Sequence, residues 1–130
     1  MSVIEESFVR AFILPEKRAR YLEMLKTPKR RQDILARLNH CLDYDASLAT
    51  ELSSAESNPE NLERLLRSKG AGNMCHLIGD QLELDGQEIT LAEGLEAVKS
   101  HDFGAVALCA PGLAYYKSEA PSNGVILEKR

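Results

Sequence analysis

The spacing of apolar residues along the first forty positions is helical. Val3, Ile4, Phe8, Phe12 and Ile13 fall on one broad face, and Ser2 with Glu5 has the spacing of a capping box, so a first helix is expected over about Val3 to Leu14. Pro15 interrupts it. Because proline suits the first turn of a helix, a second helix is expected from Pro15 to about Lys26, burying Ala19, Leu22 and Leu25. Thr27-Pro28 repeats the device and opens a third helix running to about Cys41. Its stripe is Ile34, Leu35, Leu38, Cys41 and Leu42.

From Leu42 to Ser57 the pattern weakens. Asp45 to Leu52 reads as one or two helical turns and Ser53 to Ser57 as loop. Asn58-Pro59 then begins a fourth helix with Leu62, Leu65 and Leu66 on its apolar edge, and Gly70 supplies the stop.

Beyond Asn73 the period shortens to that of strands. Met74 to Ile78 is a short apolar run. Leu82 and Leu84 alternate with Glu83, Asp85-Gly86 is a type I′ turn signal, and Glu88 to Thr90 returns, so a hairpin is expected there. Thr90 and Glu93 have capping-box spacing for a helix ending near Ser100 and His101, with Leu91, Leu95 and Val98 inward. Phe103 to Cys109 carries no charge and reads as a doubly buried strand. Leu113 to Lys117 is its partner across Pro111-Gly112, and Val125 to Leu127 a final strand after a turn at Pro121, Asn123 and Gly124. The expected class is α+β: an N-terminal layer of about four helices packed with a C-terminal antiparallel sheet that contains one inserted helix. Residues 1–130 make one expected domain, helical over 1–70 and α+β over 71–130.

Composition adds little, with 44% hydrophobic and 28% charged residues, ordinary for a folded chain. The longest apolar run, Ala105 to Ala110, is far shorter than the roughly 20 residues a spanning helix needs, so no membrane partner is expected. Glu5 and Glu6 stand where a secretory signal would place positive charge, and the three cysteines are odd in number and widely spaced. A reducing cytoplasm is the expected location. The net charge of −4 hides an asymmetry: residues 1–42 hold nine Lys/Arg against five Asp/Glu, whereas 43–130 hold seven against fifteen. Such polarity marks either an anion-binding half or two halves that attract each other.

Four groups of residues are candidates for chemistry. Thiols and imidazoles occur as His40-Cys41 and Cys75-His76, but neighbours on a strand point to opposite faces, so no metal and no cofactor is expected. Cys109, Cys75 and His76 remain candidates for a thiol nucleophile with its base, Cys109 lying at a strand end before a tight turn. Asp80, Glu83, Asp85 and Glu88 read as protection of a sheet edge. The basic segment 17–37 contains Lys29, Arg30 and Arg31 in one first turn, where cations oppose the helix dipole; helix stability does not explain them, and an anionic ligand would. A pI of about 5.4 and the scarcity of aromatics nearby weigh against nucleic acid.

No phosphate loop, nucleophile elbow or metalloprotease motif is present. The leading expectation is a non-enzymatic protein-interaction or regulatory module, anchored by Tyr115, Tyr116 and Leu113 on an exposed surface, with self-association through the final strand as a second mode. Nucleic-acid or phosphate binding through 17–37, and a Cys/His enzyme at Cys109, are the alternatives.

Overall fold

A computed structural model describes residues 2–40, 42–80, 82–119 and 122–129. Cys41, expected on the third helical stripe, and Pro121 of the last turn lie outside the described residues. Helices α1 (Val3–Phe12), α2 (Arg18–Lys26) and α3 (Pro28–His40) come first, α1 capped by Ser2, whose hydroxyl accepts the Glu5 N–H. Pro15–Lys17 is a separate 3-10 turn, closed by Lys17 N–H on Leu14 O, so α2 starts three residues later than the proline suggests.

A second 3-10 turn, Ala46–Leu48, leads into strand β1 (Ala49–Glu51). The weak pattern there predicts helical turns and gives no sign of a strand, because three residues paired on one side leave no alternation to read. Next come α4 (Pro59–Ser68), β2 (Met74–Gly79), β3 (Glu88–Thr90), α5 (Leu91–Ser100), β4 (Ala105–Ala110), β5 (Leu113–Lys117) and β6 (Val125–Glu128). Gly70, with φ +112, follows α4 as its left-handed stop.

The six strands form one antiparallel sheet in the order β1-β6-β5-β4-β2-β3. This is the expected α+β class, with α5 inserted between β3 and β4. The layering is finer than the sequence indicates. On one face Ile78, Val106, Leu108, Ala114, Tyr116 and Leu127 pack against α1–α3 through Phe8, Phe12, Ile34 and Leu38. On the other, Cys75, Leu77, Ala107, Leu113, Tyr115 and Ile126 meet Leu62, Leu66, Leu91, Leu95 and Val98 of α4 and α5. The fourth helix thus crosses to the opposite face, and the sheet is covered on both sides. Burying a Leu or Phe side chain is worth about 1.5–3 kcal/mol, so each face holds a core of its own.

The Asp85-Gly86 hairpin takes a different form from the expected one. Glu83 to Gly86 is turn rather than strand, and Gly86 N–H bonds back to Leu77 O while Leu77 N–H bonds to Gln87 O. The strand partner of β3 is therefore β2, with Met74 opposite Thr90. Strand β6 is interior, flanked by β5 and β1, which overturns self-association through the final strand: its hydrogen bonds are used on both sides. Among the described residues no helix is long and apolar enough to cross a membrane.

The C-terminal end of α3 is pinned to the sheet. Tyr116 hydroxyl donates to Leu38 O at 2.6 Å, Asn39 Oδ1 accepts Gly104 N–H at 2.6 Å, and Asn39 Nδ2 donates to Asp80 at 2.9 Å. The close approach needs glycine at 104, since a Cβ there would lie 2.1 Å from Leu38 O. That bond also explains why β4 starts at Ala105 and not at Phe103. Gly104→Ala is expected to cost at least ~1–3 kcal/mol, because the obstructing atoms are backbone. Gly72→Ala, where nothing lies within 4 Å, is the control. Urea unfolding of both variants checks this, and equal stability of the two would refute it.

Candidate functional site

One group of polar side chains inside the fold joins segments far apart in sequence. Glu5 sits on the inward face of α1, Arg31 in the first turn of α3, His76 on the face of β2 that α1–α3 cover, and Asp85 in the loop between β2 and β3. The Arg31 guanidinium makes two forks. Nη1 and Nη2 donate to Glu5 Oε1 and Oε2 at 2.8 and 3.0 Å, while Nε and Nη2 donate to Asp85 Oδ2 and Oδ1, both at 2.9 Å. His76 Nε2 lies 2.7 Å from Glu5 Oε2, and Gly79 N–H donates to Asp85 Oδ1 at 3.1 Å.

Paired, bidentate geometry is what makes such burial tolerable, since an isolated carboxylate would not remain charged inside. Burial pushes the Glu5 carboxyl upward, but hydrogen bonds from His76 and Arg31, with the charges behind them, outweigh it and hold the group at about 2. Hydrogen bonds to Asp85 and Glu5 raise Arg31 further into its charged range. Glu5 shares three hydrogen bonds and the guanidinium donates four, so the arrangement clamps α1 and α3 to the loop between β2 and β3.

Each candidate residue can now be placed. Cys75 and Cys109 face α4 and α5, whereas His76 faces the opposite way, toward Glu5. The Cys75 thiol fills the space over Gly94 and approaches Thr90 O at 3.8 Å, and Cys109 approaches Ala107 O at 3.4 Å. Burial, with the Glu88 charge, pushes Cys75 up to about 11. Burial, with the neighbouring Cys75, takes Cys109 to about 12. Both are therefore neutral thiols at physiological pH, poor nucleophiles. His101 Nε2 meets Asp80 O at 2.6 Å, and His40 Nδ1 meets Glu119 at 3.1 Å. Among the described residues no imidazole is hydrogen-bonded to a thiol, and no group of three or more His, Cys, Asp or Glu could hold a metal ion.

Tyr115, Tyr116 and Leu113, expected as exposed anchors, are buried at 0, 6 and 3% exposure, because the doubly covered sheet gives neither face of β5 to solvent. Arg31 leaves the proposed anion-binding triad: it is spent within the fold. Lys29 and Arg30 stay exposed and form no ion pair among the described residues. Of the four carboxylates expected at a sheet edge, Glu83 and Glu88 are exposed, but Asp85 binds Arg31 and Asp80 accepts Asn39. The clamp itself was signalled only by the opposite charges of the two halves. Comparison with protein-family models, curated proteins and solved structures returned no match to this chain.

The clamp has a pH signature. Glu5 binds its proton more weakly in the folded chain, at about 2, than at its ordinary 4.5. Its contribution to stability is complete above pH 4.5 and is lost as the pH falls toward 2. Unfolding free energies measured between pH 2 and 5 should fall steeply for the wild type and less steeply for Glu5→Gln. Arg31→Ala, leaving two carboxylates without their cation, should cost about 3–5 kcal/mol at neutral pH.

Proposed function

We propose that this chain is a small non-enzymatic interaction module of the reducing cytoplasm that docks an acidic protein surface on the corner between α2 and α3. The observation that carries the reading is the division of labour in the first turn of α3. Arg31 is consumed by Glu5 and Asp85, whereas Lys29 and Arg30 beside it remain exposed without a carboxylate. Lys26, at the end of α2 and one residue before Thr27, adds a third exposed cation with only a loose 3.7 Å contact to Glu23. Cations at a helix start oppose its dipole, so their presence there costs folding stability and is explained by what they attract. Two buried, unpaired thiols support the reducing compartment. The burial of these two thiols on the face opposite His76 supports the non-enzymatic reading over a Cys/His enzyme at Cys109.

Titration with a fluorescent ten-residue oligoglutamate peptide, at two salt concentrations, tests the surface. Binding should weaken with salt, and Lys26→Ala/Lys29→Ala/Arg30→Ala should lose roughly three- to tenfold, as expected for three exposed contacts of a few tenths of a kcal/mol each. Arg31 is excluded from this variant because its removal attacks the fold. A single-stranded oligonucleotide of equal charge that binds more tightly than the peptide would replace the protein partner with nucleic acid. Unaltered affinity in the triple variant would overturn the surface altogether.

A further inference from the structure

Cys75 of β2 and Cys109 of β4 are free thiols on neighbouring strands, and both lie under α4 and α5. The pairing of these strands runs from Gly79 opposite Ala105 to His76 opposite Leu108, so one further step in the same register sets Cys75 opposite Cys109. Backbone bonds fix what kind of pair this is. Leu91 N–H donates to Asn73 O and Leu77 N–H to Gln87 O, so odd-numbered residues of β2 turn their backbone polar groups toward β3, whereas Asp80 N–H donates to Gly104 O on the β4 side. Cys75 and Cys109 therefore face each other as a non-hydrogen-bonded pair, the closer of the two antiparallel kinds, with Cα atoms about 4.5 Å apart. A disulfide spans Cα separations of roughly 4.4–6.8 Å with both side chains on one face, and this register satisfies both conditions.

The side chains agree with the register. Burial raises the Cys109 thiol most, and the nearby Cys75 pushes it further up, which puts the two sulfurs within electrostatic reach. In the reduced chain they are turned apart: Cys75 Sγ lies toward Thr90 O at 3.8 Å, in space left by Gly94, and Cys109 Sγ toward Ala107 O at 3.4 Å. Rotation about each Cα–Cβ bond is the motion that joins them. We propose that Cys75 and Cys109 form a cross-strand disulfide site whose state is set while the chain folds and is then held by the fold. At 2 and 5% exposure both thiols are covered once α4 and α5 are in place. Before that, the oxidant is a small-molecule disulfide such as glutathione disulfide. One cysteine thiolate attacks it, forming a mixed disulfide and releasing one glutathione. The other cysteine thiolate then attacks the protein sulfur of the mixed disulfide, forming the Cys75–Cys109 bond and releasing the second. The two thiol protons end on the two glutathione molecules, so the chain is oxidised by two electrons and one glutathione disulfide is reduced. Folded in a reducing compartment, the pair stays as thiols. Folded under oxidising conditions, it ties β2 to β4 beyond the last rung of their ladder and constrains the unfolded chain.

Refolding the full chain from urea in a buffer of glutathione and glutathione disulfide tests this, with intact mass and a non-reducing protease map as readouts. The refolded chain should be lighter than the reduced one by two hydrogens, with the Cys75 and Cys109 peptides joined. Its urea midpoint should rise, and Cys109→Ser taken through the same refolding should show no rise. Reduced chain that is already folded when placed in the same buffer should keep both thiols over the same period. Circular dichroism establishes that each sample is folded. A refolded chain that stays reduced, that carries glutathione on Cys75 or Cys109, or that pairs either with Cys41 would overturn the site. An unchanged midpoint would overturn the tie between the strands, and oxidation of the folded chain as fast as on refolding would overturn its protection by the fold.

Discussion

The ion pairs that tie the first helices to the sheet converge on the Arg31 guanidinium. One side chain pairs with two carboxylates from distant parts of the sequence, Glu5 in α1 and Asp85 in a loop of the sheet. The exchange is reciprocal. Without Arg31 the two acids would repel inside the protein, and without the acids a guanidinium would be stranded between α1 and the sheet. The opposite charges of the two halves are therefore in part internal wiring. Only the cations left over from it are available to anything outside.

The same site sets how the loop between β2 and β3 is built. Asp85 accepts Gly79 N–H as well as Arg31, which folds Leu82 to Asp85 back instead of extending it as strand. The cost to the sheet is a short outer strand, and shortness here is useful. Both outer strands, β1 and β3, are three residues long. Next to β1 the Ser53 N–H is already taken by Glu56 Oε1 at 2.9 Å. Edges so short and partly capped offer little template for pairing with another chain.

Helix starts were legible because they rest on local chemistry. Ser2, Asn58 and Thr90 cap the helices that follow them, and each can be read from a window of a few residues. The uncharged run at β4 likewise announces a strand covered on both faces. What could not be read locally is what depends on partners. Strand β1 exists because β6 is there to pair with it, and Tyr115 lies inside because α4 crossed the sheet to cover the second face, while Tyr116 lies under α1–α3. Arg31 looks like its neighbours Lys29 and Arg30 in sequence. Its distinct fate follows from facing Glu5 across the helical layer, a relation no spacing rule contains.

The clamp also bears on the order in which the chain comes together. Its contacts span 26 residues from Glu5 to Arg31, 54 from Arg31 to Asp85 and 71 from Glu5 to His76. Closing the two longer loops needs the sheet to position β2 and the Asp85 loop. During synthesis the first three helices emerge with Glu5 and Arg31 present but Asp85 and His76 still to come. Interactions completed after the rate-limiting step retard unfolding more than they speed folding. Where the contacts to the sheet close after the rate-limiting step, these four side chains act as a lock on how long the native state persists once formed.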